Sequence, residues 1–203
     1  MSIATKSHWE NIYHTKQAHE VSWTQETPYT TIQLFEAAKL SKEAQIIDIG
    51  GGDSRFVDYL IAQGFTHISV LDISEKALER AKKRLGEQAA SVNWIVSDIK
   101  EFVPSITYDF WHDRAAFHFL TEQKDITHYI KMCKQFAKKI AIGTFSPEGP
   151  LKCSGLDVTQ YDEKSLSTLF ESVGFINAQC QRVNHTTPSG ANQNFVFCSL
   201  DNV

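Results

Sequence analysis

Three aspartates stand where neighbouring strands could aim them at one ligand. Asp48 lies within the apolar run Ala44 to Ile49, Asp72 follows His67 to Leu71, and Asp98 follows Val92 to Val96. Gly50, Gly51 and Gly52 come directly after the first run and lead into Ser54 and Arg55. Adjacent glycines let a backbone approach a ligand closely, although by themselves they fit a tight turn with positive φ equally well. Asp72 is 20 residues past Gly52, a position from which a carboxylate accepts both hydroxyls of a ribose, and Asp98 falls where an adenine amino group would reach. Asp48 sits just ahead of the turn and would repel a pyrophosphate, so the group bound there should be cationic. A G-x-G-x-x-G dinucleotide fingerprint begun at Gly50 fails at its third glycine, where Arg55 stands, and no G-x-x-x-x-G-K-S/T phosphate loop occurs.

The three carboxylates can act together only if their runs are neighbouring parallel strands. Between the runs, Phe56, Val57, Leu60 and Ile61, and then Ala77, Leu78, Ala81 and Leu85, recur at helical spacing. Such alternation predicts a parallel sheet covered by helices on both faces. It continues with a strand at Tyr108 to Trp111, a helix around Thr121 to Phe136, a strand at Lys139 to Phe145 and a helix around Glu163 to Val173. Phe175 to Val183 and Asn194 to Leu200 are separated only by the turn-rich stretch His185 to Gly190, so they are expected to pair as an antiparallel hairpin and bring the sheet to seven strands. Ahead of the sheet, helical stretches at Lys6 to Tyr13 and Pro28 to Leu40 flank a polar connection containing Trp23. Residues 1–43 are expected to form a lid near the carboxyl ends of the strands.

The 203 residues, 42% of them hydrophobic, suit one domain with one core. Twenty Lys and Arg against 24 Asp and Glu leave a net charge of −4, without the whole-chain attraction of a general nucleic-acid binder. No apolar run approaches the roughly 20 residues of a membrane span, and the first residues lack the apolar core of a secretory signal, so a cytoplasmic location is expected. Cys133, Cys153, Cys180 and Cys198 form neither CxxC nor a Cys/His cluster, which predicts reduced thiols and no metal site.

Asp48-x-Gly-x-Gly52, Asp72-Ile73 and Asp98-Ile99, on successive strands and followed by a terminal hairpin, resemble the class I S-adenosylmethionine-dependent methyltransferases over about residues 44–200. The resemblance implies a three-layer, Rossmann-like α/β fold with a mostly parallel seven-stranded sheet, and S-adenosylmethionine as cofactor. It further implies that Gly50 to Gly52 pack against the methionine part, Asp48 serves its amino end, Asp72 holds the ribose, and Asp98 with Ile99 flanks the adenine. Ser54 stands at the third glycine of some members, and Arg55 is a candidate for the methionine carboxylate or a substrate. Trp9, Tyr13 and Trp23 lie where the thiopurine methyltransferases also place aromatic residues over the cofactor, with anchoring of the helix as the alternative role.

Trp111-His-Asp-Arg-Ala-Ala-Phe117 looks like the W-D-R-G-x-L stretch of thiopurine methyltransferases with one residue inserted, and similar stretches occur in methyltransferase-like lysine methyltransferases. The D/N/S-P-P-Y/F/W motif of many adenine and glutamine N-methyltransferases is absent. Strand alternation keeps His112 and Asp113 from pointing at one site. Asp113 is the candidate for a cofactor contact and His118 for a base beside the acceptor, where flanking Phe117 and Phe119 would lower its pKa. The alternatives are a structural pairing for Asp113 and Arg114 and a packed core position for His118. The loop Phe145 to Gly155, with Cys153, is expected to overhang the site. Methyl transfer to a small, partly apolar acceptor, governed by positioning more than by a base, is the leading expectation; a protein side chain as acceptor, or cofactor binding without turnover, are the alternatives.

Overall fold

The structure, a computed structural model, describes residues 3–202; residues 1 and 2 of the expected lid and residue 203 lie outside the described residues. The apolar runs become parallel strands β1 (Ile46–Ile49), β2 (Ile68–Asp72), β3 (Val92–Val96), β4 (Phe110–Arg114) and β5 (Lys139–Phe145). In the loop after β5, β6 (Lys152–Cys153) and β7 (Leu156–Asp157) form a separate small ribbon. The terminal hairpin is β8 (Phe175–Thr186) and β9 (Asn192–Asn202), and the main sheet has seven strands in the order β3-β2-β1-β4-β5-β9-β8. Only β9 runs antiparallel to its neighbours β5 and β8.

Among the described residues, six α-helices accompany the strands: α1 (Ile3–Thr15), α2 (Tyr29–Ala37), α3 (Phe56–Ala62), α4 (Glu75–Leu85), α5 (Gln123–Phe136) and α6 (Glu163–Glu171). Alternate residues of each strand supply two cores. Ile46, Ile68 and Phe110 pack with Phe35 and Phe56 on one face, and Ile47, Trp111 and Ile140 pack with Tyr129 and Phe170 on the other. Since β1 is buried on both faces, its run is apolar without alternation. The chain leaves β1 for β2 and β3 on one side and returns to β4 on the other, so a crevice opens at the carboxyl ends of β1 and β4.

Two expectations are corrected. The fourth strand does not stop at Trp111 but spans Phe110–Arg114, which places His112 and Asp113 inside it on opposite faces. Tyr108 contributes only an isolated bridge to Ala137, so its apolar character reports burial and not ladder pairing. Cys180 and Cys198, expected as reduced thiols, are joined by a disulfide. The hairpin register sets them directly opposite each other with Cα atoms 4.1 Å apart, a pairing that their spacing in the sequence does not reveal. No helix among the described residues is long and apolar enough to cross a membrane.

Candidate functional site

A cavity of about 930 Å³ lies over the carboxyl ends of β1 to β4, near the upper end of the roughly 300–1,000 Å³ usual for small-molecule sites. Asp72 and Ile73 from the end of β2, and Asp98 and Ile99 from the end of β3, line one side of it. One oxygen of Asp72 accepts the Ser74 backbone N–H at 2.8 Å, which fixes the carboxylate in place. Burial, with the charges of Asp48 and Glu10 behind it, pushes the Asp72 carboxyl up to about 7. Asp98 accepts from the Lys100 N–H through Oδ1, whereas its buried Oδ2 has no hydrogen-bond partner, with the Lys100 Nζ beyond it at 3.9 Å.

The turn between β1 and α3 forms the floor. Gly50, Gly51, Ser54 and Arg55 line the cavity. Gly52 stands behind Asp72 with φ +42°, and a Cβ there would come within 2.8 Å of the Asp72 Oδ2 and 3.0 Å of the Tyr13 hydroxyl. Glycine takes that backbone without strain, and its lack of a Cβ permits that approach. Arg84 of α4 pins the turn from below, through an ion pair to Asp53 and a bond to the Ser54 carbonyl.

Asp48 departs from its expected place on the cavity wall. It lies beneath the glycine turn, where Oδ1 pairs with the His112 Nδ1 at 2.6 Å and Thr31 meets the other ring nitrogen at 3.0 Å. Its buried Oδ2 has no partner and lies under Gly51, close enough that a Cβ on Gly51 would be 2.7 Å away. An acceptor oxygen left open below the turn fits a donor-bearing, cationic group above it.

The lid closes the cavity with aromatic rings. Trp9, Tyr13 and Trp23 all line it, and Trp9 meets Trp23 and Phe119 edge-to-face at 5.7 and 5.2 Å between centroids. The position of α1 depends on α4: Glu10 accepts from the Glu75 N–H at 2.7 Å, and Arg80 donates to the carbonyls of Tyr13 and Lys16. On the far side, Arg114 donates to the Trp23 carbonyl and the His185 Nε2–H to that of Ser22. Glu10, Arg80 and His185 carry no local motif, so sequence spacing gave no signal for them. The loop after β5 reaches the site as expected, through Cys153, Leu156 and Asp157.

Neither candidate for the catalytic step lines the cavity. Asp113 is fully buried on the α5 face, where Oδ1 accepts the N–H groups of Ala116 and Phe117 and Oδ2 accepts the Tyr129 hydroxyl at 2.7 Å. Its carboxylate holds the turn after β4, in which Ala115 adopts φ +67°. His118 is also fully buried, packed between Phe119 and Phe145, and burial pulls its pKa down to about 3. This burial favours the core alternative for His118. His118→Gln should leave turnover within about threefold, against the 10²- to 10⁴-fold loss expected on removing a base. The folded protein keeps His118 neutral far below 6.5 while the unfolded chain protonates there, so this residue costs stability as pH falls from about 6.5 toward 3. Melting curves across that range should show a smaller acid loss in the variant.

Residues 46–139 match a family model described as a methyltransferase domain. Malonyl-(acyl-carrier protein) O-methyltransferase 1 of Ilyobacter polytropus is 28% identical over 125 residues, covering 58% of this chain and 46% of that protein. EEF1A lysine methyltransferase 2 of Danio rerio is 29% identical over 105 residues, covering 47% of this chain and 45% of that protein. The chain thus spans about half the length of these curated relatives. In fold it is similar to the Burkholderia thailandensis 1,6-didemethyltoxoflavin-N1-methyltransferase, solved with 1,6-didemethyltoxoflavin and S-adenosylhomocysteine bound, at a TM-score of 0.72 and 17% identity over 98% of this chain and 88% of that one.

Proposed function

We propose that this chain, a member of the class I S-adenosylmethionine-dependent methyltransferases, binds S-adenosylmethionine in the cavity and passes its methyl group to a small, partly apolar acceptor. The residues present fit that cofactor. Two buried carboxylate oxygens without hydrogen-bond partners, on Asp48 and Asp98, support this reading, since they would suit its two donor-bearing ends, the ammonium and the adenine amino group. Asp72, between them, would accept from the ribose hydroxyls, with Ile73 and Ile99 against the apolar faces. Ser54 and Arg55 at the amino end of α3 would meet the methionine carboxylate.

S-adenosylmethionine supplies a methyl on a sulfonium, which leaves by in-line displacement with the bonding pair remaining on sulfur. The residues of this chain contribute alignment and exclusion of water, the terms that hold two reactants at near-attack distance. Trp9, Trp23 and Phe119 form one wall, and this aromatic wall over the cavity is the observation that carries the small-acceptor reading. The similarity to a lysine methyltransferase favours a protein acceptor instead. An ammonium must first lose a proton, however, and no histidine lines the cavity among the described residues. Incubation with methyl-labelled cofactor and a fractionated extract decides between them. Label in the low-molecular-mass fraction is expected; label on polypeptide, or binding without product, would contradict the proposal.

A further inference from the structure

Among the described residues, the side of the cavity wall away from Asp72 and Asp98 offers no free group to take a proton from the acceptor at neutral pH. Burial pushes the Tyr13 phenol far above its usual value and the Cys153 thiol up to about 11. Asp53 is paired with Arg84, Glu26 with Arg55 at 3.5 Å, and Asp157 with Lys152 at 3.1 Å. Asp72 and Asp98 stand on the nucleoside side, over β2 and β3.

Arg114 is different from the other arginines of the wall. Arg55 and Arg84 are in ion pairs, and Arg80 donates to two main-chain carbonyls. Arg114, at the end of β4, makes one hydrogen bond, at 2.9 Å to the Trp23 carbonyl, and among the described residues no ion pair joins it to a carboxylate. A guanidinium has five donors in a planar fork, so most of its capacity is left facing the cavity. Its neighbours place it between the glycine turn and the lid, on the acceptor side. Trp23 belongs to the lid, and Arg114 interacts by charge with Asp48 beneath the glycine turn, with Tyr13, with Cys153 in the loop after β5 and with His185 in the terminal hairpin. The sheet order sets β4 and β5 on the side of β1 opposite to β2 and β3, away from the nucleoside residues.

From these juxtaposed features, a guanidinium outside any ion pair on the acceptor side and, among the described residues, no free proton acceptor on that side, we infer that the acceptor enters as a carboxylate held by Arg114 and leaves as a methyl ester. The inference deepens the proposed function and rests on it. The balance closes without a base: a carboxylate oxygen forms the new bond to the methyl carbon, the carbon–sulfur bond breaks with its pair going to sulfur, and no proton moves. One negative and one positive charge are consumed. The two parallel N–H groups of a guanidinium match the two oxygens of a carboxylate, which an ammonium does not reproduce. Trp9, Trp23 and Phe119 would then surround the apolar remainder of the acid.

The test uses the full chain, methyl-labelled S-adenosylmethionine and a small-metabolite extract, with mild alkali applied to the labelled product. Methyl esters release their label as volatile methanol under alkali, whereas methyl groups on nitrogen, sulfur or ether oxygen stay in place. Alkali-labile label is expected, with kcat/KM for its formation reduced about 30-fold or more in Arg114→Met, while affinity for S-adenosylhomocysteine measured by calorimetry changes by no more than about threefold. Arg114→Lys keeps the buried charge without the fork, guards against a failure of Arg114→Met to fold, and should lose affinity for the acid more than turnover. Alkali-stable label would overturn the inference. So would a tenfold or larger loss of S-adenosylhomocysteine affinity in both variants, which would assign the guanidinium to the cofactor's own carboxylate. An absence of transfer to any small molecule, with S-adenosylhomocysteine still bound, would instead remove the reading on which the inference rests.

Discussion

Gly52→Ala should reduce affinity for S-adenosylhomocysteine by about 10²- to 10³-fold. Two costs combine. The backbone at Gly52 has φ +42°, where an L side chain is strained by about 1–3 kcal/mol. The added Cβ would also sit 2.8 Å from the Asp72 Oδ2 and 3.0 Å from the Tyr13 hydroxyl, and neither can give way easily. Asp72 is held by the Ser74 N–H, and Tyr13 is buried under Trp23 with its main chain fastened by Arg80. Displacing the carboxylate would forfeit hydrogen bonds worth about 1.5–3 kcal/mol each when charged. Gly64→Ala is the control, since φ there is +80° but nothing lies within 4 Å of the new Cβ. It should lower the melting temperature and leave ligand affinity unchanged. Equal affinities in the two variants would mean that the glycine turn serves the chain alone.

The second large effect concerns Asp72 itself. Asp72→Asn should weaken S-adenosylhomocysteine binding by about one to two orders of magnitude, the loss expected for a charged hydrogen bond. The dependence on pH is more diagnostic. Burial raises the Asp72 carboxyl to about 7, and bonds from ribose hydroxyls favour its ionised form, so binding should release a proton and strengthen as pH rises from 6 to 8. Below 7 the affinity should fall by up to about tenfold per pH unit. Stability without ligand should move in the opposite direction. The folded protein binds a proton at Asp72 that the unfolded chain has given up near 3.8, so stability declines as pH rises from about 4 through 7. Asp72→Asn removes that decline, and its ligand-free melting temperature at pH 8 should exceed that of the wild type. A pH-independent affinity in the wild type, or an unchanged dissociation constant in a folded variant, would take Asp72 out of the site.

The features legible in the sequence are those fixed by strand order and local pattern. A parallel sheet brings residues more than twenty positions apart onto one rim, so the ends of β2 and β3 could be recognised as a pair from Asp72 and Asp98. The terminal hairpin was legible for the same kind of reason, because a turn without a helix leaves two runs only antiparallel pairing. The burial of Asp113 and His118 was legible only as the alternative to a role at the site. It depends on where β4 ends and on Tyr129, Phe119 and Phe145, which approach from other parts of the chain. Charge type alone makes both look catalytic, whereas one caps a turn and the other fills a core. The pairing of Asp48 with His112, a partner 64 residues away, was not legible. The disulfide depends on a register that contains a bulge between Ile176 and Gln179. Arg114 was weighed as structural, and its pairing state becomes visible only when the carboxylates around it are seen to be committed elsewhere.

Calorimetric titration of the full chain with S-adenosylhomocysteine, and separately with NADH, bears most directly on the central claim that the crevice over β1 to β4 is an adenosyl-sulfonium site. The arrangement of Asp48, Asp72 and Asp98 with Arg55 at the failed third glycine predicts one S-adenosylhomocysteine bound per chain and no heat from NADH. Tight binding of NADH with no response to S-adenosylhomocysteine would contradict it.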